Sequence, residues 1–437
     1  MTAVGADSKP TPVIPILLAI VFGTFAGTLL GPDGAIGGVN LLPVLDLVGT
    51  LFINLLKMLI VPLVLASVIT GVAALGSGPD LGRVGAKTLG FYLVTTLIAV
   101  FIALLLINAV EPGVQDGQPV REKLGLPADV AAVAESVMKR ADAGVSEAIR
   151  SVVPPNIVEA AANTKLLGLI LFSVLFGFFL ARIPEPQQGT VMRLWQGIFQ
   201  VMMRMTGFVM MLAPIGVFAL IAVVVAKAGF SGARALLLFS GCVVAGLALY
   251  AFVALPLLLG LVARVNPWRL YPAMAPALLT AFSTASSAAT LPSSLECLEK
   301  RAKVSVRIAR FVMPLGASLN HAGSALYECA AAMFIAQAYG LHLTFGTQFT
   351  VIILALATSM GMAGIPSASL FGIAIILAAV GLPPDAIAVL LVFDRILDMA
   401  RTAVNVLADA ACTVIVARLE GETGVLAAPV AAESTAA

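Results

Sequence analysis

The hydrophobic positions of this sequence fall into long runs rather than into the alternating patterns of a soluble protein. A helix needs about 20 apolar residues to cross about 30 Å of hydrocarbon. The first run, 13–30, fits either a signal peptide or a membrane helix, and its length and the lack of a small-x-small cleavage pattern favour the helix. The runs predict eight crossings, at residues 13–30, 44–75, 87–110, 166–182, 195–226, 235–263, 306–339 and 385–417.

Two further apolar segments, 271–299 and 350–382, are interrupted by Ser, Thr, Gly and Pro. Broken backbone at membrane depth is tolerated only inside protein or beside a water-filled cavity, so we expect two re-entrant helical hairpins. Ser286 in the first interruption lies 34 positions before Asn320, a polar residue of the next span. Gly364 in the second interruption likewise lies 34 positions before Asp398. Paired interruptions are typical of a transporter's central site, although this spacing alone is weak support.

Composition excludes a soluble protein and several kinds of partner. Hydrophobic residues make up 60% and charged residues 11% of the 437 positions, whereas soluble domains carry about 25% charged residues. A formal net charge of +2 without basic and aromatic interleaving argues against nucleic acid. Neither a disulfide framework nor a zinc site is expected, because there are two His and the four Cys lack CxxC spacing (Cys242, Cys297, Cys329, Cys412).

Lys and Arg in the short loops set the predicted orientation. Basic residues cluster in 300–310 and are absent from 340–350 and 381–389. Basic loops face the cytoplasm, so eight crossings place both termini, 1–12 and 418–437, inside. The first hairpin then enters from the cytoplasm and the second from outside, while the long mixed-charge stretch 111–165 is interpreted as an external insert.

The last span carries five charged residues in the sixteen positions from Asp394 to Asp409, where a rate of 11% predicts about two. At 100° per residue, five polar side chains of this span fall within an arc of about 80° and form one stripe along the helix. They are Asp394, Asp398, Arg401, Asn405 and Asp409. A charge at the bilayer centre costs at least about 2.5–3.5 kcal/mol. A purely structural Asp–Arg network is the alternative, but one Arg and three Asp on the stripe favour binding of a cation or amine.

The preceding span has a polar patch from Asn320 to Glu328. Gly323 is expected to loosen this helix and free carbonyl groups for an ion. Glu328 fits either a neutral buried carboxyl group or a proton carrier, two roles that are compatible. His321 has no paired ligand and is interpreted as a packed or hydrogen-bonded side chain.

Hydroxyl groups at the first interruption, Ser286, Ser287 and Thr290, could bind a carboxylate together with N–H groups at a half-helix N-terminus. Taken in isolation, these residues are better explained by small-residue helix packing. An intramembrane hydrolase is disfavoured because neither GxSxG nor a paired-His motif is present. A purely conducting anion channel is the other alternative.

Four features together resemble the dicarboxylate/amino acid:cation symporters, which include bacterial glutamate and aspartate transporters and animal excitatory amino-acid transporters. They are LeuLysMetLeuIleValProLeu from Leu56, AlaProIleGlyValPheAlaLeu from Ala213, both interrupted segments and the last two helices. The resemblance implies an all-α homotrimer in the bacterial cytoplasmic membrane, with eight helices, two hairpins, inverted repeats and an elevator mechanism. It assigns 13–75 and 166–226 to a scaffold, and 87–110, 235–263 and the core 271–417 to a transport domain.

By the same resemblance Arg401 would bind a substrate side-chain carboxylate and Asp398 its amino group. Retention of Arg401 favours acidic substrates, and retention of Asp398 favours an amino acid over a C4-dicarboxylate. The implied substrate residues are Ser286, Ser287, Ser324, Ile365, Ser369, Asp398, Arg401, Thr402 and Asn405.

Three sodium sites are implied as well. Asp409 with carbonyl groups of Gly316, Asn320 and Asn405 resembles the first. Ser318, Ser359, Met360 and Met362 resemble the second, beneath the outer hairpin. The third would use Tyr92, Thr95, Thr96, Asn320 and a carboxylate, although the first three of these by themselves look like an ordinary polar helix face.

The sequence departs from the family pattern at Ala322, where a sodium-binding Asp is usual. Loss of that ligand should strongly weaken sodium binding at the third site, so fewer sodium ions would be coupled to transport. Glu328 or His321 would then supply a proton. Ser367 and Ser369 stand where glycines are common, which alters the expected substrate contact. Arg395 on the last helix resembles the arrangement of most relatives.

The sequence therefore predicts a secondary symporter for glutamate or aspartate, coupled to Na⁺ with H⁺ as an open second coupling ion, without other cofactors. The alternative within the same family is a proton-coupled symporter of C4-dicarboxylates or of neutral amino acids.

Overall fold

The computed structural model describes residues 13–31, 35–36, 39–73, 79–126, 132–138, 153–162, 166–228, 232–361 and 368–427. Within these ranges the prediction of an all-helical membrane protein is confirmed, since strands occur only as two short pairs, Ala35–Ile36 with Val39–Asn40 and Val114–Gln115 with Gln118–Pro119. The helices of the first half are α1 (Val13–Leu30), α2 (Leu42–Ala73), α3 (Pro79–Val110), α4 (132–138), α5 (Ile157–Ala162), α6 (Leu166–Leu180), α7 (Gln187–Ala228) and α8 (Ala233–Leu249).

The second half contains the segments predicted to form the core. Its helices are α9 (Leu255–Leu258), α10 (Leu270–Thr284), α11 (Ser287–Glu296), α12 (Val306–Leu319), α13 (Ala322–Ala338), α14 (Phe345–Gly361), α15 (Ser369–Val380) and α16 (Leu391–Leu419). π-helical segments at Tyr250–Ala254 and Leu259–Ala263 continue α8 through α9, and a third at Cys297–Arg301 continues α11. 3-10 turns lie at Glu122–Leu124, Pro267–Arg269 and Pro384–Leu390.

Three described helical stretches are long and apolar enough to cross a membrane: 83–110, 233–263 and 384–419. A fourth is the bent helix α7, whose halves 187–209 and 211–226 meet at 48°. The remaining apolar helices among the described residues are shorter, so the chain is multi-pass while the count of eight crossings stays a prediction.

The helices pack in two sets. In the first, α1, α2 and α6 pack on one another or on the long helix α7. In the second, α3, α8 and the helices from α10 to α16 pack together, with α13 touching α3, α14, α15 and α16. Because α13 is buried along nearly its whole length, it is the centre of the second set.

The first interrupted segment forms two contacting helices, α10 and α11. The helix α10 ends at Thr284, and Ala285 follows in the left-handed region at φ 50°. Ser286 then turns the chain with extended backbone and caps α11, since its side chain accepts a hydrogen bond from the N–H of Ala289 at 3.3 Å. In the second segment α14 and α15 contact each other, and the residues that join them, 362–367, lie outside the described part.

The predicted span 306–339 is not one helix, which corrects the sequence interpretation. It breaks between α12 and α13 at Asn320 and His321, which have non-helical backbone angles. The break lies before Gly323 rather than at it, so the glycine is not what interrupts the helix. The polar residues of the patch therefore sit where free backbone groups are present.

The segment 420–427, which follows α16, is tied to three other elements. Glu420 pairs with Arg83 at 2.8 Å and Lys87 at 2.7 Å, both on α3. Glu422 accepts hydrogen bonds from the N–H and hydroxyl of Ser305, the N-cap of α12. Leu426 bonds Ala302 through its N–H at 2.9 Å. These contacts fix the ends of α3, α12 and α16 relative to one another.

Candidate substrate and cation site

The polar stripe of α16 lies inside the second helix set, and Arg401 is its centre. The guanidinium group is fully buried, and one Nη donates to Asp394 at 3.1 Å and to Asp398 at 3.0 Å. Its carbon lies 3.8 Å from the ring centroid of Tyr327 on α13. The Nε and the other Nη have no hydrogen-bond partner among the described residues. Arg401 thus has two donor groups for a further acceptor, which suits a carboxylate.

The charge balance differs from the sequence interpretation because Arg395 also belongs to the cluster. This residue lies off the predicted arc, yet it is buried and its Nη is 3.7 Å from Asp398. Asp394 and Asp398 therefore face two arginines, and the surplus negative charge of the stripe belongs to Asp409. The cluster at Arg401 is closer to neutral than one Arg and three Asp implied.

Asn405 connects α16 with the start of α13. Its side-chain oxygen accepts from the N–H of Gly323 at 2.8 Å, and its amide donates to the hydroxyl of Ser324 at 3.2 Å. Thr402, one turn earlier, is buried and donates to the carbonyl of Asp398 at 2.8 Å. Four predicted substrate residues, Ser324, Asp398, Thr402 and Asn405, therefore lie together with Arg401 at this contact.

A second cluster surrounds Asp409. Asn320 donates to its Oδ1 at 2.7 Å, and Thr96 donates to Asn320 at 3.1 Å. The other carboxyl oxygen, Oδ2, is buried and has no partner among the described residues. Gly316 packs so closely that a methyl group there would lie 2.5 Å from Cγ of Asp409. The arrangement brings together Gly316, Asn320 and Asp409 as predicted for a cation.

The residues of α3 reach the same region in part. Tyr92 is buried and donates to the carbonyl of Val312 at 2.7 Å. Thr95 donates to the carbonyl of Tyr92 at 3.1 Å and lies 3.8 Å from the thiol of Cys412. Ala322, which offers no side-chain oxygen, is fully buried at the start of α13. The predicted third site therefore retains hydroxyl groups without the usual carboxylate.

His321 is hydrogen-bonded, as interpreted from the sequence. Its Nδ1 lies 3.0 Å from the carbonyl oxygen of Ser359 near the end of α14. Ser359 and its neighbour Met360 are thereby brought to the α12–α13 break, and Ser318 lies two residues before that break. Of the other residues predicted there, Met362, Ile365 and Ser367 lie outside the described residues.

Glu328 is fully buried and forms a hydrogen bond with the hydroxyl of Thr358. The same hydroxyl lies 2.7 Å from the carbonyl oxygen of Leu354. The hydroxyl of Thr358 has one proton, and it faces two acceptors, Glu328 and the Leu354 carbonyl. Protonation of Glu328 would let the carboxyl group donate to Thr358, so this arrangement is compatible with a neutral carboxyl group.

The hairpin residues occupy the ends of their helices. Ser287 and Thr290 are buried in the first turn of α11, while Ser286 caps it. Ser369 is buried at the first position of α15. Both α11 and α15 thus begin with hydroxyl side chains, at the end of a helix where N–H groups lack partners within the helix itself.

Tyr327 and Thr358 were not predicted. A signal was present for Tyr327, since it follows Ser324 by three positions and so shares a helix face with it. Thr358 gave no such signal, because its partner Glu328 is 30 residues away.

Comparison with known proteins decides the family. The sodium:dicarboxylate symporter family model matches residues 13–419. The chain belongs to this family. Members of the sodium:dicarboxylate symporter family are transporters and not enzymes.

The relatives of this family member include bacterial and animal proteins. The chain is 35% identical over 408 residues to the proton/glutamate-aspartate symporter of Escherichia coli (strain K12), covering 93% of this chain and 92% of that protein. It is 34% identical over 411 residues to the proton/sodium-glutamate symport protein of Geobacillus stearothermophilus, covering 93% and 95%. It is 35% identical over 412 residues to excitatory amino acid transporter 1 of Ambystoma tigrinum, covering 83% and 74%.

Proposed function

We propose that this chain is a secondary symporter that takes up the acidic amino acids glutamate and aspartate, driven by Na⁺ and H⁺. The observation that carries the proposal is Arg401, a fully buried guanidinium group with two donor groups left unpartnered among the described residues. An unmatched donor pair is costly inside a membrane protein unless a ligand completes it. The names of the bacterial relatives as glutamate symporters support the same substrate class.

In this proposal Arg401 binds the side-chain carboxylate and Asp398 the amino group. Asn405, Thr402 and Ser324 receive the main-chain end, because they lie on the same contact of α13 with α16. Ser286, Ser287, Ile365 and Ser369 would complete the site from the two hairpins. Because the two arginines balance the charges of Asp394 and Asp398, the remaining N–H groups of Arg401 can pair with the negative charge of the substrate carboxylate.

The coupling ions are assigned to two other places. The Asp409 cluster, with Gly316 and Asn320, would hold a sodium ion, since its carboxylate has no ion pair among the described residues. Glu328 would carry the proton, which the shared hydroxyl of Thr358 supports. The remaining residues inferred for sodium are Asn405, Ser318, Ser359, Met360, Met362, Tyr92, Thr95 and Thr96.

The two helix sets support a division into a scaffold of α1, α2, α6 and α7 and a moving domain of α3, α8 and the helices from α10 to α16. The residues 271–417 would then travel across the membrane as one body. The elevator movement, the two hairpins as re-entrant elements, the homotrimer and the cytoplasmic position of both termini follow from the family resemblance and are proposed on that basis.

Uptake of labelled aspartate into proteoliposomes tests this function. We expect accumulation above the external concentration with an inward sodium gradient, and competition by glutamate but not by C4-dicarboxylates or neutral amino acids. A pH gradient, inside alkaline, should add to the uptake. Equilibration without accumulation would indicate a channel, and full uptake without sodium would contradict the sodium part of the proposal.

A further inference from the structure

The hydroxyl group of Tyr250 is buried and has no part in the site described above. Tyr250 is fully buried at the end of α8, and its hydroxyl has no hydrogen-bond partner among the described residues. The segment Tyr250–Ala254 packs against α3 and α16, the helices that carry Thr95 and Asp409. Because a buried hydroxyl is unfavourable without a partner, a group that binds there during transport would explain its retention.

Local backbone structure places this side chain. Tyr250 begins a π-helical segment, in which the N–H of Leu255 bonds to the Tyr250 carbonyl five residues earlier. Pro256 follows and has no N–H to give to the carbonyl group of Phe252, so the regular α-helical pattern cannot continue there. The wider turn changes the angular position of Tyr250 relative to the rest of α8, as is common at functional sites.

Asp409 also has a buried polar atom without a hydrogen-bond partner among the described residues. Oδ2 of Asp409 is buried and unpartnered among the described residues, and the ion pairs of α16 there join only Asp394 and Asp398 to arginines. Asn320 donates from its side-chain nitrogen to the other oxygen, Oδ1, and Ala322 adds no side-chain oxygen. A buried carboxylate with no basic partner among the described residues suits a small hard cation, whose remaining ligands would be neutral oxygen atoms.

We propose that Tyr250 is a further ligand residue for the coupling sodium ion and supplies a neutral hydroxyl oxygen from α8 to the cluster around Asp409. In this arrangement α8 closes the site on the side where the residue at 322 contributes no oxygen. The proposal rests on sodium being transported, as set out under the proposed function.

Tyr250→Phe tests it, because this change removes one oxygen atom and leaves the ring. Tyr339→Phe is the matched control, since Tyr339 is also buried with an unpartnered hydroxyl but lies just after the end of α13. The first readout is the melting temperature of purified protein titrated with NaCl against choline chloride, which reports sodium binding without transport. The second is the sodium dependence of aspartate uptake in proteoliposomes.

We expect the half-saturating sodium concentration of Tyr250→Phe to rise at least fivefold in both readouts, with Tyr339→Phe unchanged. In sodium-free buffer Tyr250→Phe should be at least as stable as wild type, because the unpaired hydroxyl is gone. Tyr250→Met serves as a second oxygen-free variant if the first is not recovered folded. Wild-type sodium dependence in the variant overturns the inference.

The two proposals fail separately. Wild-type protein that accumulates aspartate without any response to sodium overturns the Tyr250 inference and leaves the substrate assignment standing. Wild-type protein that is stabilised by sodium but takes up no aspartate contradicts the substrate assignment, and Tyr250 is still judged by the stabilisation curve.

Discussion

Gly372 on α15 lies directly against the carboxyl group of Glu328 on α13. A methyl group at position 372 would be 2.5 Å from Cδ and from one oxygen of Glu328. The second hairpin therefore contacts the proposed proton carrier through a position that only glycine fits.

Gly372→Ala should displace the Glu328 carboxyl group from Thr358, since such overlap costs typically about 1–3 kcal/mol. We expect the rate of aspartate uptake to fall roughly tenfold, with a smaller stimulation by a pH gradient. Gly241→Ala on α8 is the control, because a methyl group there meets no atom within 4 Å. An unchanged pH dependence in Gly372→Ala would separate Glu328 from proton coupling.

Ala322→Asp places a carboxylate at the position where the family resemblance implies a sodium ligand. The position is fully buried at the start of α13, so an unpaired charge there is unfavourable. We expect this variant to melt at a lower temperature than Ala322→Asn without sodium and to recover when NaCl is added. The comparison uses thermal unfolding with NaCl or choline chloride. Equal melting temperatures of the two variants in both salts would argue against a cation site near position 322.

Glu420→Gln should loosen the segment that follows α16. The hydrogen bond from Lys87, and then that from Arg83, lower the pKa of Glu420 below its ordinary value of 4.5. Because the folded-state pKa is the lower one, the stabilisation is present above the unfolded-state pKa and is lost as pH falls through the folded value. We expect a loss of less than about 1 kcal/mol at pH 7.

That loss should shrink as the pH falls below the ordinary pKa, and thermal unfolding between pH 7 and pH 4 measures it. Glu296→Gln, which removes an exposed pair with Lys300, is the control and should change stability less at pH 7. A destabilisation of Glu420→Gln that is equal at both pH values would mean that packing, rather than the ion pairs, holds this segment.

The sequence predicted the helical class because apolar runs and the cost of charge in lipid are local properties. The stripe from Asp394 to Asp409 was also predictable, since helical periodicity alone puts those side chains on one face. Periodicity placed Arg395 off that face, but its long side chain reaches Asp398 nonetheless. The angular position of a residue on a helix does not show how far a long, flexible arginine side chain extends.

The break at Asn320 and His321 was not predicted, because the polar patch that begins there is also compatible with one continuous helix from 306 to 339. Contacts such as Asn320 with Asp409, 89 residues apart, depend on how α12 packs against α16. The family resemblance predicted that pair, and spacing did not. Tyr250 was missed because a π-helical turn changes a side chain's direction without changing the composition of the run.

The central claim is that Arg401 receives the substrate's side-chain carboxylate. Uptake of labelled aspartate and labelled serine under an inward sodium gradient tests it with wild type, Arg401→Cys and Arg401→Lys. Loss of a buried charge-assisted pair typically costs about 2–5 kcal/mol, so Arg401→Cys should weaken aspartate affinity at least about thirtyfold. Arg401→Lys keeps the charge but loses the planar pair of donors, so its aspartate affinity should lie between those of wild type and Arg401→Cys.

The most direct measurement is the half-saturating aspartate concentration of Arg401→Cys in proteoliposomes, with serine uptake showing that the variant is folded and mobile. We predict that the variant nearly loses aspartate uptake but transports serine, whereas wild type transports aspartate and not serine. An aspartate concentration dependence within twofold of wild type in Arg401→Cys would contradict the assignment.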